Sequence, residues 1–300
     1  MTNAQVSASD VLILRTAPAE RSFRNKIIGI IALPGIGICL TYLALALGIA
    51  ALSGANFNDL RLLPLLVVVF LAGAVTNMTN DIIDAERDKT KWPTKPLATG
   101  LISKSEAVLY AVILSAIGIA IAIVVFNWLF LALGLLVVAG NLVYSRYMRD
   151  NIGYLTVILP LALVPVTIWI GFSPETILTP LPWFSVISIA AVATAVQITH
   201  EGLDPTIPAL FVRPRPTTER ALYVVSVIVL FLSGVAIYFY AQISWLFVAA
   251  LAVLMAWILT PARYLGDNRP REKLEAGFKI GIVGGLFIYW LLIAVFIWIK

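Results

Sequence analysis

The chain predicts an all-α, polytopic membrane protein with nine transmembrane helices around a central cavity that opens to the cytoplasmic side. Hydrophobic residues make up 61% of the 300 residues and charged residues only 12%, against roughly 25% charge in a soluble domain. Mean hydropathy is +0.97. Apolar runs close to the ~20 residues needed to cross a bilayer recur along the whole length. Strands do not fit. Lipid demands internally satisfied backbone, and these runs exceed the ~10 residues of a barrel strand.

The elements follow in order. Residues 1–20 read as an N-terminal cytoplasmic tail, and 21–300 as a single nine-helix domain. Span 1 covers 27–52. It is too long for the apolar core of a signal peptide and no cleavage-like site follows it, so it is expected to stay in the mature protein. Span 2 covers 62–81 and contains "LLPLLVVVFLAGAV". Spans 3 and 4, at 105–126 and 129–146, are separated by "FNW". Spans 5 and 6 cover 154–171 and 183–200. Spans 7 and 8, at 221–240 and 245–260, are separated by "AQIS", and span 9 covers 276–299.

With the N-terminus in the cytoplasm, every Lys and Arg among the chain's 21 except Arg61 and Lys300 falls on that side. This obeys the positive-inside rule and predicts an integral protein of the cell (inner) membrane with N-terminus and active site cytoplasmic. The net charge of +5 is therefore a membrane-surface feature, with membrane lipids and no nucleic acid as partner. Cys39 is the single cysteine, which leaves no disulfide framework or cysteine metal site.

Polar chemistry concentrates in the cytoplasmic loops. "NMTNDIIDAERDKTKWPTKPLATG" (77–100) is the densest stretch. Read as a continuation of span 2, Asn77, Asp81, Asp84 and Asp88 share one helical face. Asn80, Asp84 and Asp88 form an i, i+4, i+8 row beside it. Stacked carboxylates repel, so positive charge belongs between them. Local Lys and Arg could supply it; an oxygen-only set of Asp and Asn also suits Mg²⁺, which commonly shares its carboxylates with a substrate phosphate. Basic residues that follow would face the phosphate. A solvated loop of ordinary surface charge and the acidic vestibule of a cation or metabolite transporter are the competing readings. The transporter predicts ionisable residues near the midplane, where these spans place essentially none.

Asn80-Asp81-x-x-Asp84-x-x-x-Asp88 resembles the aspartate-rich motif N-D-x-x-D-x-x-x-D of the UbiA superfamily of intramembrane prenyltransferases. "KPLATGLIS" (95–103) resembles that family's R-P-L-x-S-G-x-I-S, with Lys95 at the usual Arg. The resemblance implies Mg²⁺ held by two aspartate motifs, an isoprenyl diphosphate as donor, and pyrophosphate as leaving group. It also implies a small-molecule or lipid acceptor that captures an allylic carbocation, and an apolar channel for the isoprenoid tail. Carried over by position, the metal residues would be Asn80, Asp81, Asp84 and Asp88, with Lys91 and Lys95 on the diphosphate. "YSRYMR" (144–149) resembles the family's Tyr-Ser followed by a basic residue four or five positions on. Tyr144 is the tyrosine, Met148 stands at +4 and Arg149 at +5, which puts Tyr144, Arg146 and Arg149 in the diphosphate set.

The second motif departs from the pattern. Where the family has D-x-x-x-D, this chain has "QITHEGLDPTIP" (197–208). Asp204 matches the last aspartate, His200 stands at its partner, and Glu201 is the substitute acidic ligand. His200 could be a hydrogen-bonded structural residue, a general base toward the acceptor, or a metal ligand. Asp84, Asp88, Asp204 and Arg149 are the expected catalytic residues, and Glu201 and Asp204 complete the expected metal set. A terpene cyclase on the same scaffold, in which the substrate's own double bond captures the cation, is the alternative outcome of the same chemistry.

Overall fold

The computed structural model describes residues 23–200, 216–265 and 281–300. Among these, nine helices are long and apolar enough to cross a membrane. The expected tail at 1–20 lies outside the described residues.

In chain order, α1 is Phe23–Ala32, α2 Ile36–Leu52, α3 Leu62–Ile83 and α4 Ala85–Lys91. Then come α5 Lys104–Val125, α6 Trp128–Val143, α7 Ile158–Phe172 and α8 Pro180–His200. The last three are α9 Pro216–Ala241, α10 Trp245–Ile258 and α11 Gly284–Trp298. The first span is broken between α1 and α2 at Pro34-Gly35, because proline lacks an N–H and Gly35 turns back with φ of 67°. Asn77 Nδ2 fills the gap by donating to Pro34 O at 2.8 Å. Asn77 is thereby committed to holding the break.

Neighbouring helices pack in a ring. The sequence runs α2 to α3, α3 to α5, α5 to α6, then α6 to α7, α8, α9, α10 and α11 in turn, and α11 returns to α2. Close approach needs small residues, as is usual between membrane helices. A Cβ on Gly48 would come within 2.8 Å of Trp290 O, and one on Gly140 within 2.9 Å of Pro160 Cβ. Outward faces carry large exposed apolar side chains such as Leu109, Val112, Val124, Leu232 and Val253. On a soluble protein so much exposed hydrocarbon would drive aggregation; here it is the surface that meets lipid.

The boundaries differ from the sequence expectations at two places, and both adjoin the polar end. The aspartate-rich stretch does not continue span 2 as one straight helix. Instead α3 stops at Ile83, Asp84 (φ −88°, ψ 4°) forms a bend, and α4 begins at Ala85. Span 4, expected to end at 146, stays helical to Asn151, and Tyr144–Met148 form a π-helix.

A separate small core of Leu33, Met78, Leu97, Ile102, Ala107 and Ala111 fixes the 92–103 loop against α3 and α5. That loop leads into α5 through a capping box. The Ser103 hydroxyl accepts from Glu106 N at 3.2 Å, and Glu106 Oε2 accepts from Ser103 N at 2.8 Å. Lys26 Nζ donates to Glu106 at 2.9 Å and ties α1 to the same corner. Lys95 is thus delivered to the polar end by a packed loop.

Candidate active site

The bend at Asp84 is the centre of the site. Asp84 and Arg149 are both buried, and they form a two-pronged ion pair across 65 residues of chain. Arg149 Nη1 donates to Asp84 Oδ2 at 2.7 Å and Nη2 to Oδ1 at 2.6 Å. This fork-to-fork geometry is specific to guanidinium. Nη1 also reaches Asn80 Oδ1 at 3.4 Å. Arg87 flanks the pair, 3.6 Å from Asp84 Oδ1 and donating to Asp150 Oδ2 at 2.7 Å.

A second group lies along the same stretch. Lys95 Nζ donates to Asp81 Oδ1 at 2.7 Å and to Asp88 Oδ2 at 2.8 Å. Burial alone would pull the Lys95 ammonium down, but the Asp81 and Asp88 carboxylates overcome it and hold its pKa above the usual lysine value. The bend serves this arrangement, because it brings carboxylates from α3 and α4 onto one ammonium. Among the described residues, Asp81, Asp84, Asp88 and Asp150 face Arg87, Lys95 and Arg149, one more carboxylate than cations.

The π-helix explains why the basic residue stands at +5. In this geometry the N–H bonds five residues back, and Arg149 N–H donates to Tyr144 O. The inserted residue widens the turn, so that Asn141, Tyr144, Ser145 and Arg149 all line one cavity. Met148 at +4 does not line it. Arg146 is not brought to the cavity either; it is exposed, with its guanidinium over the Tyr147 ring at 5.7 Å.

That cavity, of about 220 Å³, lies inside the ring between α2, α3, α6, α7, α8 and α11. Among the described residues, Arg149 is its single charged lining residue. Asn77, Asn80, Asn141, Ser145 and Gln197 make up most of its polar wall, and Tyr42, Leu45, Val164 and Trp290 part of its apolar one. Among the described residues, Gln197 Oε1 is buried without a hydrogen-bond partner, so it offers an acceptor to a ligand donor. Asn141 escaped the sequence argument. Its signal was an amide inside the apolar run "LLVVAGNLV", a costly placement unless the side chain is used.

Lys91 closes α4 and His200 closes α8; the side chains of both lie outside the described residues. Glu201 and Asp204 also lie outside them. Among the described residues, no three acidic, histidine or cysteine side chains converge as a metal site. The donor chemistry nevertheless suits a hard cation, since Asp81 and Asp88 already converge on one positive centre through oxygen alone. A divalent ion there would take the place of the Lys95 ammonium.

Residues 41–292 match the family described as the UbiA prenyltransferase family. A 65-residue stretch is 43% identical to digeranylgeranylglyceryl phosphate synthase of Thermococcus kodakarensis, covering 22% of this chain and 24% of that protein. The chain therefore matches about a quarter of the length of that relative. Among solved structures, one described as a digeranylgeranylglyceryl phosphate synthase superposes with a TM-score of 0.64 at 17% identity, covering 92% of this chain and 99% of that one. A UbiA homologue from Archaeoglobus fulgidus, bound to GPP and Mg²⁺, superposes with a TM-score of 0.60 at 20% identity, covering 89% and 99%. At these identities the superpositions establish a shared fold.

Proposed function

This chain belongs to the UbiA prenyltransferase family, and on that premise we propose that it transfers an isoprenyl group from an isoprenyl diphosphate to an acceptor, with release of pyrophosphate. The observation that carries this is the buried Asp84–Arg149 pair at the polar end of a cavity that is otherwise uncharged among the described residues. A diphosphate needs concentrated positive charge, and its isoprenoid needs hydrocarbon; both occur here within one enclosure.

Mg²⁺ suits the oxygen set of Asn80, Asp81, Asp84 and Asp88, and the A. fulgidus homologue is bound to GPP and Mg²⁺. When bound, it would supply Lewis-acid stabilisation of the departing pyrophosphate. The chain's own residues do the rest. Arg149 and Lys95 are held by carboxylates in the absence of substrate, and each presents N–H donors to a diphosphate that competes for them. As the C–O bond breaks, positive charge develops at the allylic carbon. Tyr42, Tyr144 and Trp290 line the cavity, and their ring faces can stabilise that charge. Enclosure by six helices keeps bulk water from quenching it.

The acceptor lies in the same cavity, against amide and hydroxyl groups. A glyceryl phosphate lipid is the first acceptor to try and an aromatic ring the second, a choice supported by the 65-residue stretch of 43% identity to digeranylgeranylglyceryl phosphate synthase. By the positive-inside distribution the site faces the cytoplasm, in the cell (inner) membrane. The test is incubation of purified protein with Mg²⁺ and C10, C15 or C20 diphosphates, with and without each acceptor class, read by mass spectrometry. A prenylated acceptor and stoichiometric pyrophosphate are expected. A terpene formed without any acceptor would overturn transfer in favour of cyclisation.

A further inference from the structure

Most polar groups on the wall of the central cavity are already used by the fold. Thr41 donates to Gly37 O at 3.3 Å and Thr76 to Ala72 O at 2.9 Å, each within its own helix. The Asn77 amide is taken by Pro34 O, and Asn141 Nδ2 donates to Val137 O at 3.0 Å. Asn80 Oδ1 accepts from Arg149 at 3.4 Å. Gln197 stands apart: among the described residues, nothing donates to its buried Oε1.

Its place on α8 makes this more than an idle amide. Ile189, Val192, Ala193, Val196 and Gln197 line the cavity from that helix, a spacing that keeps them on one face. Four are hydrocarbon. Gln197 ends the stripe one turn before the last residue of α8. A polar side chain that joins membrane helices finds a partner across the interface, as Ser188 of the same helix does with Ser233 at 2.7 Å and Tyr289 at 3.0 Å. Gln197 makes no such bond among the described residues. A buried carbonyl left unpaired destabilises the empty protein, and a ligand that donates to it recovers that loss.

The prenyl donor is the wrong ligand for this oxygen. Its ionised diphosphate offers only acceptor atoms, and its isoprenoid has no polar hydrogen. The second substrate is left, and it must bring an O–H or N–H to the wall of α8. A hydroxyl that gives its hydrogen to Oε1 keeps its lone pairs free to face the allylic carbon.

We propose that Gln197 recognises the prenyl acceptor by accepting a hydrogen bond from its free hydroxyl, and that the chain thereby rejects the same molecule with that hydroxyl capped. The proposal rests on the prenyl-transfer reading of the Arg149 site. Rejection follows because a capped acceptor would bury Oε1 again without a donor.

The experiment measures binding to the purified full chain in lipid nanodiscs, with Mg²⁺ and saturating geranyl thiodiphosphate, an unreactive donor analogue. One probe pair is a monoalkyl glyceryl phosphate and its O-methyl ether; the other is 4-hydroxybenzoate and 4-methoxybenzoate. Wild type is compared with Gln197→Leu and Gln197→Met. In one pair the free hydroxyl should bind wild type about tenfold more tightly than its methylated partner, the worth of one buried hydrogen bond, and both variants should erase that preference. The pair that responds tells a lipid hydroxyl from a phenolic one. Both variants should unfold at or above the wild-type temperature, because Gln197 gives up no bond in the fold, and should bind the donor analogue as wild type does. A preference that survives in the variants, or is missing from wild type in both pairs, overturns the role of Gln197 and leaves the donor site standing. So does a marked loss of thermal stability in both variants, which makes the residue structural, or a loss of donor-analogue affinity, which puts its amide on the diphosphate. Failure of wild type to bind the donor analogue overturns the transfer reading itself.

Discussion

Each end of the bundle carries an arginine paired with an aspartate, and the two pairs differ in nearly every physical respect. Arg61 and Asp59 are two residues apart, with side chains 41% and 15% exposed. Arg61 also donates to Gly171 O at 3.2 Å and stacks on Phe172 at 4.5 Å. All these groups lie in the connection before α3 or at the end of α7, and none of them lines the cavity that holds Arg149. Arg149 and Asp84 are 65 residues apart, 4% and 9% exposed, and joined by two short hydrogen bonds. One pair anchors a turn at the membrane surface. The other holds two buried charges face to face beside a hydrocarbon chamber, an arrangement that burial alone disfavours and that a charged substrate rationalises.

Breaking the buried pair should have the largest effect. Arg149→Ala strands the Asp84 carboxylate, which should cost about 3–5 kcal/mol of stability and lower pyrophosphate release at least ~100-fold. The double variant Asp84→Ala/Arg149→Ala leaves neither charge unpaired. It should regain most of the thermal stability and none of the turnover, by calorimetry and a pyrophosphate assay. Recovery of turnover in the double variant would make the pair structural, like its counterpart at the other end.

The π-helix offers a finer cut through the same residue. Exchanging the neighbours, Met148→Arg/Arg149→Met, keeps composition and charge and moves the guanidinium from +5 to +4. With Tyr144 O bonded to the amide of residue 149, a side chain at 148 leaves the cavity face. Turnover should match that of Arg149→Met alone, about 100-fold down. Deleting Met148 instead should restore an ordinary helical turn with arginine at +4 on the original face, and recover part of the activity. Rescue by the exchange would show that register does not place this group.

Lys95 tests the metal. Lys95→Met leaves Asp81 and Asp88 converging without a cation, so their mutual repulsion should lower the melting temperature. Mg²⁺ should then raise it by more than in wild type, where the ammonium competes for the same oxygens. Equal Mg²⁺ response in the two proteins would mean that these carboxylates do not form the metal site. Lys95→Arg retains a cation at the position, and turnover should stay within about threefold, since one charge-assisted donor replaces another.

Much of this was readable from the sequence because it rests on short-range rules. Spans follow from hydrocarbon length, and the nine spans of the structure begin and end within a few residues of the apolar runs wherever those residues are described. The aspartate row and the basic residue after Tyr144 are local patterns too. What escaped depends on tertiary fit. A straight helix through Asp84 was the natural extrapolation of i, i+4 spacing, and the bend lets Asp88 of α4 join Asp81 of α3 on Lys95. The π-turn has no local sequence signal beyond one displaced arginine. Arg149 matched the motif position and Arg146 only shared the expected diphosphate set; the helix face brings Arg149 to the cavity and leaves Arg146 exposed. Asn77 shared the aspartate face by spacing, yet it is occupied by the carbonyl of Pro34, 43 residues away.

The surface pair supplies the smallest effect and the control for all the others. Arg61→Ala removes an exposed ion pair and a cation–π contact, together worth about 1 kcal/mol, and touches no cavity wall, so turnover should be unchanged. Its pH signature has a definite sign. The Arg61 side chain, hydrogen-bonded to Asp59, holds that carboxyl below the usual aspartate range. A carboxylate depressed in the folded state stabilises it fully above the unfolded pKa, and the contribution fades as pH falls through the folded one. The gap in melting temperature between wild type and Arg61→Ala should therefore be constant above about pH 5 and close toward pH 3. A gap that widens in acid would mean that Arg61 acts through Phe172 and Gly171 and that its bond to Asp59 contributes nothing.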